Sequence, residues 1–562
     1  MATSATTNGT NGTNGSTETS QTHTASQRYM STRGEDRDLS FEDVVLKGLA
    51  SDGGLYIPEH IPEAAQWQSW KDLSFPDLAF EVLSLYISPS EIPAQDLKGI
   101  INRSYSTFRA PETTPLVHLK DNLYLLELFH GPTFAFKDVA LQFLGNLFEY
   151  FLVRKNEGKT GRDRYHLSVV GATSGDTGSA AIYGLRGKKD VSVFMLHPKG
   201  RVSPIQEAQM TTVLDKNVHN LAITGNFDNC QDIVKALFAD PDINSTLKLG
   251  AVNSINWARI LAQIVYYFHS YFALSKKLDG FKLGDKVRFV VPTGNFGDIL
   301  AGYFAHRMGL PVDKLVIATN NNDILTRFWE NGVYEKQATH GKAAEGGLPE
   351  DGVKAHEDGV KETLSPAMDI LVSSNFERLL WFLAYHFASS AGMDDEWNEK
   401  QAGQEVAQWL QQLKTEGRFK VYEDVLRTFR QTFDSKRVSD EETLETIQKL
   451  YKEVGYVLDP HTAVGVHAAV RSDAALREAD EKAASIPHIS LSTAHPAKFS
   501  GAVTLALEKE KDFNFEKQVL PQEFVGLDKK EKRVSEAPND WKAVRELVKK
   551  QVEEELKAEY AS

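Results

Sequence analysis

Apolar strand-like runs in this chain repeatedly end in a turn of small or kinking residues and then pass into a helix-spaced apolar pattern. Leu123–Phe129 runs into His130-Gly131-Pro132, after which Ala140, Leu141, Leu144, Leu147, Phe148, Phe151 and Leu152 recur at helical spacing. His166–Val170 leads into Gly171–Ala180, and Val287–Val291 into Pro292–Asp298, each opening another helix. Val191–Leu196 reads as a further strand. Strands alternating with helices call for an α/β architecture with mostly parallel sheets.

The rest of the 562 residues is arranged around that frame. Residues 1–27 are Thr, Ser, Asn and Gly with almost no apolar side chains, too few to offset backbone entropy, so they read as a disordered tail. Residues 28–112 read as a small helical domain, with Ser40 and Asp43 as a capping box. Residues 335–365 are rich in Gly, Lys, Glu and Asp and read as a flexible insert. Residues 506–562 read as a charged extension whose last part, from Asn539, is a solvated helix with one apolar edge. The net charge of −14 argues against a general nucleic-acid binder. No apolar run is long enough to span a bilayer. One cysteine, Cys230, rules out an internal disulfide and fits a reducing compartment. No His, Cys or Asp spacing suggests a metal site.

Four constellations carry chemistry. In His130–Asp138, Lys137 stands at a helix start among Phe134, Phe136 and Val139. Both the helix dipole and desolvation lower the pKa of an amine placed there, and a neutral amine can form a Schiff base with an aldehyde cofactor. In Gly171–Ala180, small residues, amides and the hydroxyls of Ser174 and Thr177 suit a carboxylate. The turn Gly294, Asn295, Phe296, Gly297, Asp298 is a phosphate cradle that matches neither the Walker nor the dinucleotide pattern. Asp459–Gly465 places Thr462 at a helix start, where a short hydroxyl can meet a ring nitrogen. Taken together, these elements suggest a pyridoxal-phosphate enzyme.

With those residues in view, the chain resembles the threonine synthases of the fungal and bacterial branch. The likeness runs from about Tyr29 to at least Phe499: Tyr29–Gly34, Ser51–Pro58, Glu127–Ala140, Val252–Arg259, Pro366–Arg378 and Ser492–Phe499 all match in order. The resemblance implies a fold-type II pyridoxal-phosphate enzyme, tryptophan synthase β-like. Residues 28–112 would be its N-terminal domain and residues 113–505 two α/β lobes holding pyridoxal 5′-phosphate. It implies Lys137 as the Schiff-base lysine, Gly294–Asp298 at the cofactor phosphate and Thr462 at the pyridine nitrogen. The reaction implied is O-phospho-L-homoserine plus water to L-threonine plus phosphate, the last step of threonine biosynthesis. Ser174 and Thr177 are then candidates for the substrate carboxylate. Arg33 and Arg259 are candidates for its phosphate, against an equal reading as structural ion pairs. A cytoplasmic monomer or homodimer, with neither nucleic acid nor membrane as partner, completes the expectation. The rival readings are a phospholyase or dehydratase on the same fold, or a phosphate-ligand binding protein without catalysis.

Overall fold

A computed structural model describes residues 27–336, 359–479 and 486–560. The expected disordered tail and most of the expected flexible insert fall outside the described residues.

Two sheets form the frame. The first has six strands in the order Phe433–Arg437, Val312–Thr319, Val287–Pro292, His488–Ser492, Leu123–Glu127 and Leu116–Lys120. All neighbours are parallel except Leu116–Lys120, which runs antiparallel to Leu123–Glu127 at the edge. The second sheet has five parallel strands: Ser535–Ala537, Val218–Ile223, Val191–Pro198, Leu167–Ala172 and Leu249–Gly250. Helices cover both faces, and every residue of Val191–Pro198 is buried. Its apolar residues run on without alternation, interrupted only by the buried Ser192 and His197. These are the two α/β lobes expected from the sequence.

The N-terminal region has no core of its own. Ser40 caps the helix Phe41–Lys47 reciprocally with Asp43. The helices Phe75–Ser84 and Ala94–Tyr105 bury their apolar faces in the same cluster as the long helix Trp257–Lys277. Trp257 packs against both Tyr29 and Tyr86, joining the two regions. A two-stranded ribbon, Tyr29–Ser31 with Tyr56–Pro58, was not visible in the sequence, because three residues are too few to show a period.

The charged C-terminal stretch is part of the second lobe. Ser535–Ala537 completes the edge of its sheet. The helix Trp541–Tyr560 places Val544, Val548 and Val552 on one face, in a cluster with Cys230, Ile233 and Leu237. The flanks of the 335–365 segment are also held. Val333–Glu335 pairs with Arg418–Lys420, while Lys361 and Thr363 bond to Asn322, Asn320 and Asp369. Among the described residues no helix is long and apolar enough to cross a membrane.

Candidate active site

Open α/β sheets bind ligands beyond the carboxyl ends of their strands. The site is assembled at that position. Leu123–Glu127 leads to the lysine segment, Leu167–Ala172 to the Ser/Gly turn, Val287–Pro292 to the second Gly turn, and His488–Ser492 to residues 493–499.

Lys137 is the first residue of the helix Lys137–Lys155. Just before it, Phe134 adopts a left-handed φ of 61°, and the Asp138 carboxylate folds back onto Thr133, taking its N–H at 2.8 Å and its hydroxyl at 2.7 Å. A Cβ on Gly131 would lie 2.3 Å from the Cβ of Asp138, so this turn requires glycine. Burial pushes the Lys137 amine down to about 8; Asp176 opposes that shift, and Lys498 and Arg259 reinforce it. At pH 7 that leaves about a tenth of the amine uncharged, far more than for an ordinary lysine at about 10.4.

The turn at 293–298 is tightly held. Phe296 takes a left-handed φ of 63° and starts the helix Gly297–Arg307 with no side-chain cap, leaving first-turn amides without intrahelical acceptors. Ser373 donates to the Gly294 carbonyl at 2.7 Å, and Asn375 donates to the Asn295 carbonyl through its backbone N–H and its side chain, both at 3.0 Å. A Cβ on Gly294 would come within 2.9 Å of the Ala367 carbonyl, so this glycine lets segment 366–368 approach. Asp298 points into the core, where Tyr266 and Tyr267 donate to its Oδ1 at 2.5 and 3.0 Å. Burial raises its carboxyl to about 6 against those two hydrogen bonds.

The turn at 171–180 is more open. The Thr173 hydroxyl accepts the N–H groups of Gly175 and Gly178, both at 2.9 Å. Ser174 is exposed, Thr177 is half-buried, and neither hydroxyl has a protein partner among the described residues. Asp176, buried beside them, receives Lys498 Nζ at 2.8 Å and Gln206 Nε2 at 2.8 Å. Burial alone would raise this carboxyl, but Lys498 and Lys137 together hold it well below the usual range.

Thr462 is fully buried. Its hydroxyl donates to Asp459 and lies 3.1 Å from the Ser492 hydroxyl. His461 receives the Ala367 N–H on Nε2 at 3.1 Å and turns Nδ1 to Asp459 at 2.9 Å. That pattern puts the ring proton on Nδ1.

The two candidate arginines differ. Arg33 forms a fork with Glu377, at 3.0 Å on both oxygens, so its guanidinium is occupied. Arg259 is 3% exposed, its Nε and Nη1 have no partner, and burial pushes the guanidinium down to about 10. A buried cation without an acceptor is costly unless an anion comes to it.

Three positions were not singled out from the sequence. Lys498, 1% exposed, bridges Asp176 and the Thr133 carbonyl, the latter at 2.8 Å. Asn375 anchors the 293–298 turn. Arg378, fully buried, clasps Asn375 Oδ1, Tyr56 O and Ile255 O. All three lie inside the quoted motifs, but nothing in their spacing marks a role.

The residues present fit pyridoxal phosphate: a desolvated amine and a helix start with open amides. The comparisons agree. Residues 28–105 match the family described as "Threonine synthase N terminus", 108–364 "Pyridoxal-phosphate dependent enzyme", and 462–548 "Threonine synthase, C-terminal". The threonine synthase of Schizosaccharomyces pombe is 57% identical over 89% of this chain and 93% of its own. That of Saccharomyces cerevisiae is 54% identical over 95% and 98%. The crystal structure of threonine synthase from yeast superposes with a TM-score of 0.84 at 52% identity, covering 95% of this chain and 99% of that one. A pyridoxal-phosphate-bound threonine synthase from Brucella melitensis gives a TM-score of 0.79 at 41% identity, covering 94% and 99%.

Proposed function

The chain belongs to the threonine synthase family, and from that premise and the geometry of its cleft we propose that it converts O-phospho-L-homoserine and water into L-threonine and phosphate. The observation that carries the reading is a desolvated Lys137 beside an unpaired buried Arg259. One gives a nucleophilic amine, the other a place for a phosphate.

When bound, pyridoxal phosphate supplies the electron sink that makes protons next to the substrate amine removable. Lys137 would hold its aldehyde, and the amides after Phe296 would receive its phosphate. Thr462 would offer its hydroxyl to the ring nitrogen in place of Asp459, which would keep its bonds from His461. Ser174 and Thr177 bind the substrate carboxylate. Arg259 binds the substrate phosphate; Arg33 reaches it only by giving up Glu377. With its amine free, Lys137 Nζ would take the Cα proton and return protons along the chain. A cytoplasmic monomer or homodimer remains our reading; the single, buried cysteine supports a reducing compartment.

The test is incubation with phosphohomoserine while phosphate and threonine are assayed together. Equal yields of both are expected, whereas the rival phospholyase or dehydratase would release 2-oxobutyrate. Borohydride trapping should label the Lys137 peptide, and Lys137→Ala should lose both label and turnover. Label on another peptide would refute the assignment.

A further inference from the structure

A second cleft, of about 650 Å³, lies against the Gly131–Phe134 turn, and Pro132 and Phe134 are the only residues it shares with the site described above. That volume is ordinary for a small-molecule site. Its lining carries Arg103, Arg109, Arg186, Lys188 and Lys530 against one carboxylate, Glu523. Three of the cations are already paired: Arg109 with Glu523, Arg186 with Asp215 and Lys188 with Glu149. Arg103 and Lys530 have no ion pair among the described residues, and both are exposed. Deeper in, Gln142 is 6% exposed with its Nε2 unpartnered, and Gln209 is 2% exposed with its Oε1 unpartnered. Phe134 and Tyr183 add apolar walls.

We propose that this cleft binds a small phosphate monoester, with the phosphate between Arg103 and Lys530 and a polar body over Gln142 and Gln209. Two unpaired cations match one dianion, and a guanidinium presents the fork that phosphate oxygens accept. The spare amide donor and acceptor call for a ligand with hydrogen-bonding groups beyond the phosphate, and the volume leaves room for them. The cleft also touches the catalytic side. Gln209 donates to the Thr133 carbonyl at 3.2 Å, the same oxygen that Lys498 holds at 2.8 Å. Arg109 donates to the carbonyls of Gly131 and Pro132. A bound ester would therefore stiffen the turn that presents Lys137.

Calorimetry on the cofactor-loaded enzyme tests this, with glycerol 3-phosphate and inorganic phosphate titrated at fixed ionic strength. The double variant Arg103→Ala/Lys530→Ala should keep its melting temperature and its KM for phosphohomoserine. It should lose at least about tenfold in affinity for the ester, the loss expected for charged hydrogen bonds. Gln142→Leu should weaken the ester and leave inorganic phosphate unchanged. Equal ester affinity in wild type and double variant would overturn the site. Equal response of both ligands to Gln142→Leu would overturn the ester in favour of free phosphate.

Discussion

The two small-residue turns at 171–180 and 293–298 follow the same sequence plan, a buried strand, a Gly-bearing turn and a helix start, yet they are held in opposite ways. The 293–298 turn is fixed from outside by Ser373 and Asn375 and from below by the two tyrosines on Asp298. The 171–180 turn is braced internally by Thr173 and tied to the rest of the site at Asp176, while Ser174 and Thr177 stand free. A ligand that stays through every turnover suits the first, and one that must arrive and leave suits the second. Similar turns thus divide the work by how many outside contacts restrain them.

The largest test cuts the tie of the open turn. Asp176→Asn would leave Lys498 buried without its charge partner, which costs about 3–5 kcal/mol when one member of a buried pair is removed. Thermal or urea unfolding should show that loss, and Lys498→Met together with Asp176→Asn should recover much of it. A single variant as stable as wild type would mean the turn is held elsewhere.

The next test probes the floor of the fixed turn. Asp298 is raised to about 6, above the ordinary carboxylate value of about 3.9, so between those pH values the folded state binds the extra proton. Stability should therefore fall as pH rises from about 4 to about 6, by an amount on the order of 3 kcal/mol, and level off above. Asp298→Asn should flatten that part of the profile in melting curves taken across it. An unchanged slope in the variant would move the effect to another group.

A smaller effect is expected from Gly294→Ala. Its Cβ would press on the Ala367 carbonyl at 2.9 Å, and overpacking of that kind costs about 1–3 kcal/mol. Because the same turn faces the cofactor phosphate in our reading, cofactor affinity should drop about tenfold, measured by equilibrium dialysis. Full affinity would show that segment 366–368 can yield without disturbing the cradle.

What the sequence disclosed, and what it concealed, divides along contact range. The placing of Lys137 at a helix start was legible because that start and its aromatic neighbours are adjacent in the chain. The strand-turn-helix units were legible for the same reason. Lys498 was not, because it bonds to Thr133 across 365 residues and looks locally like any lysine. Arg378 reaches Tyr56 across 322 residues, and Asn375 meets Asn295 across 80. The edge strand Ser535–Ala537 has three residues with no strand propensity and is set by its partner Val218–Ile223. Arg33 shows the converse. Its residue type suited a phosphate, but only the fold reveals Glu377 already in its fork.

The smallest effect on stability, and the sharpest on the comparison, comes from Ser174→Ala and Thr177→Ala. Neither hydroxyl bonds to the described protein, so each variant should unfold within about 0.5 kcal/mol of wild type. Nor should the cofactor's visible absorption change, because the fixed turn is untouched. If these hydroxyls meet the substrate carboxylate, each removes a hydrogen bond to a charged group worth about 1.5 kcal/mol, and KM should rise about tenfold. Since the same bond is made before and after the chemical step, kcat should stay close to wild type. A variant that lost cofactor or stability instead would place the open turn in the permanent scaffold, and the contrast with 293–298 would disappear.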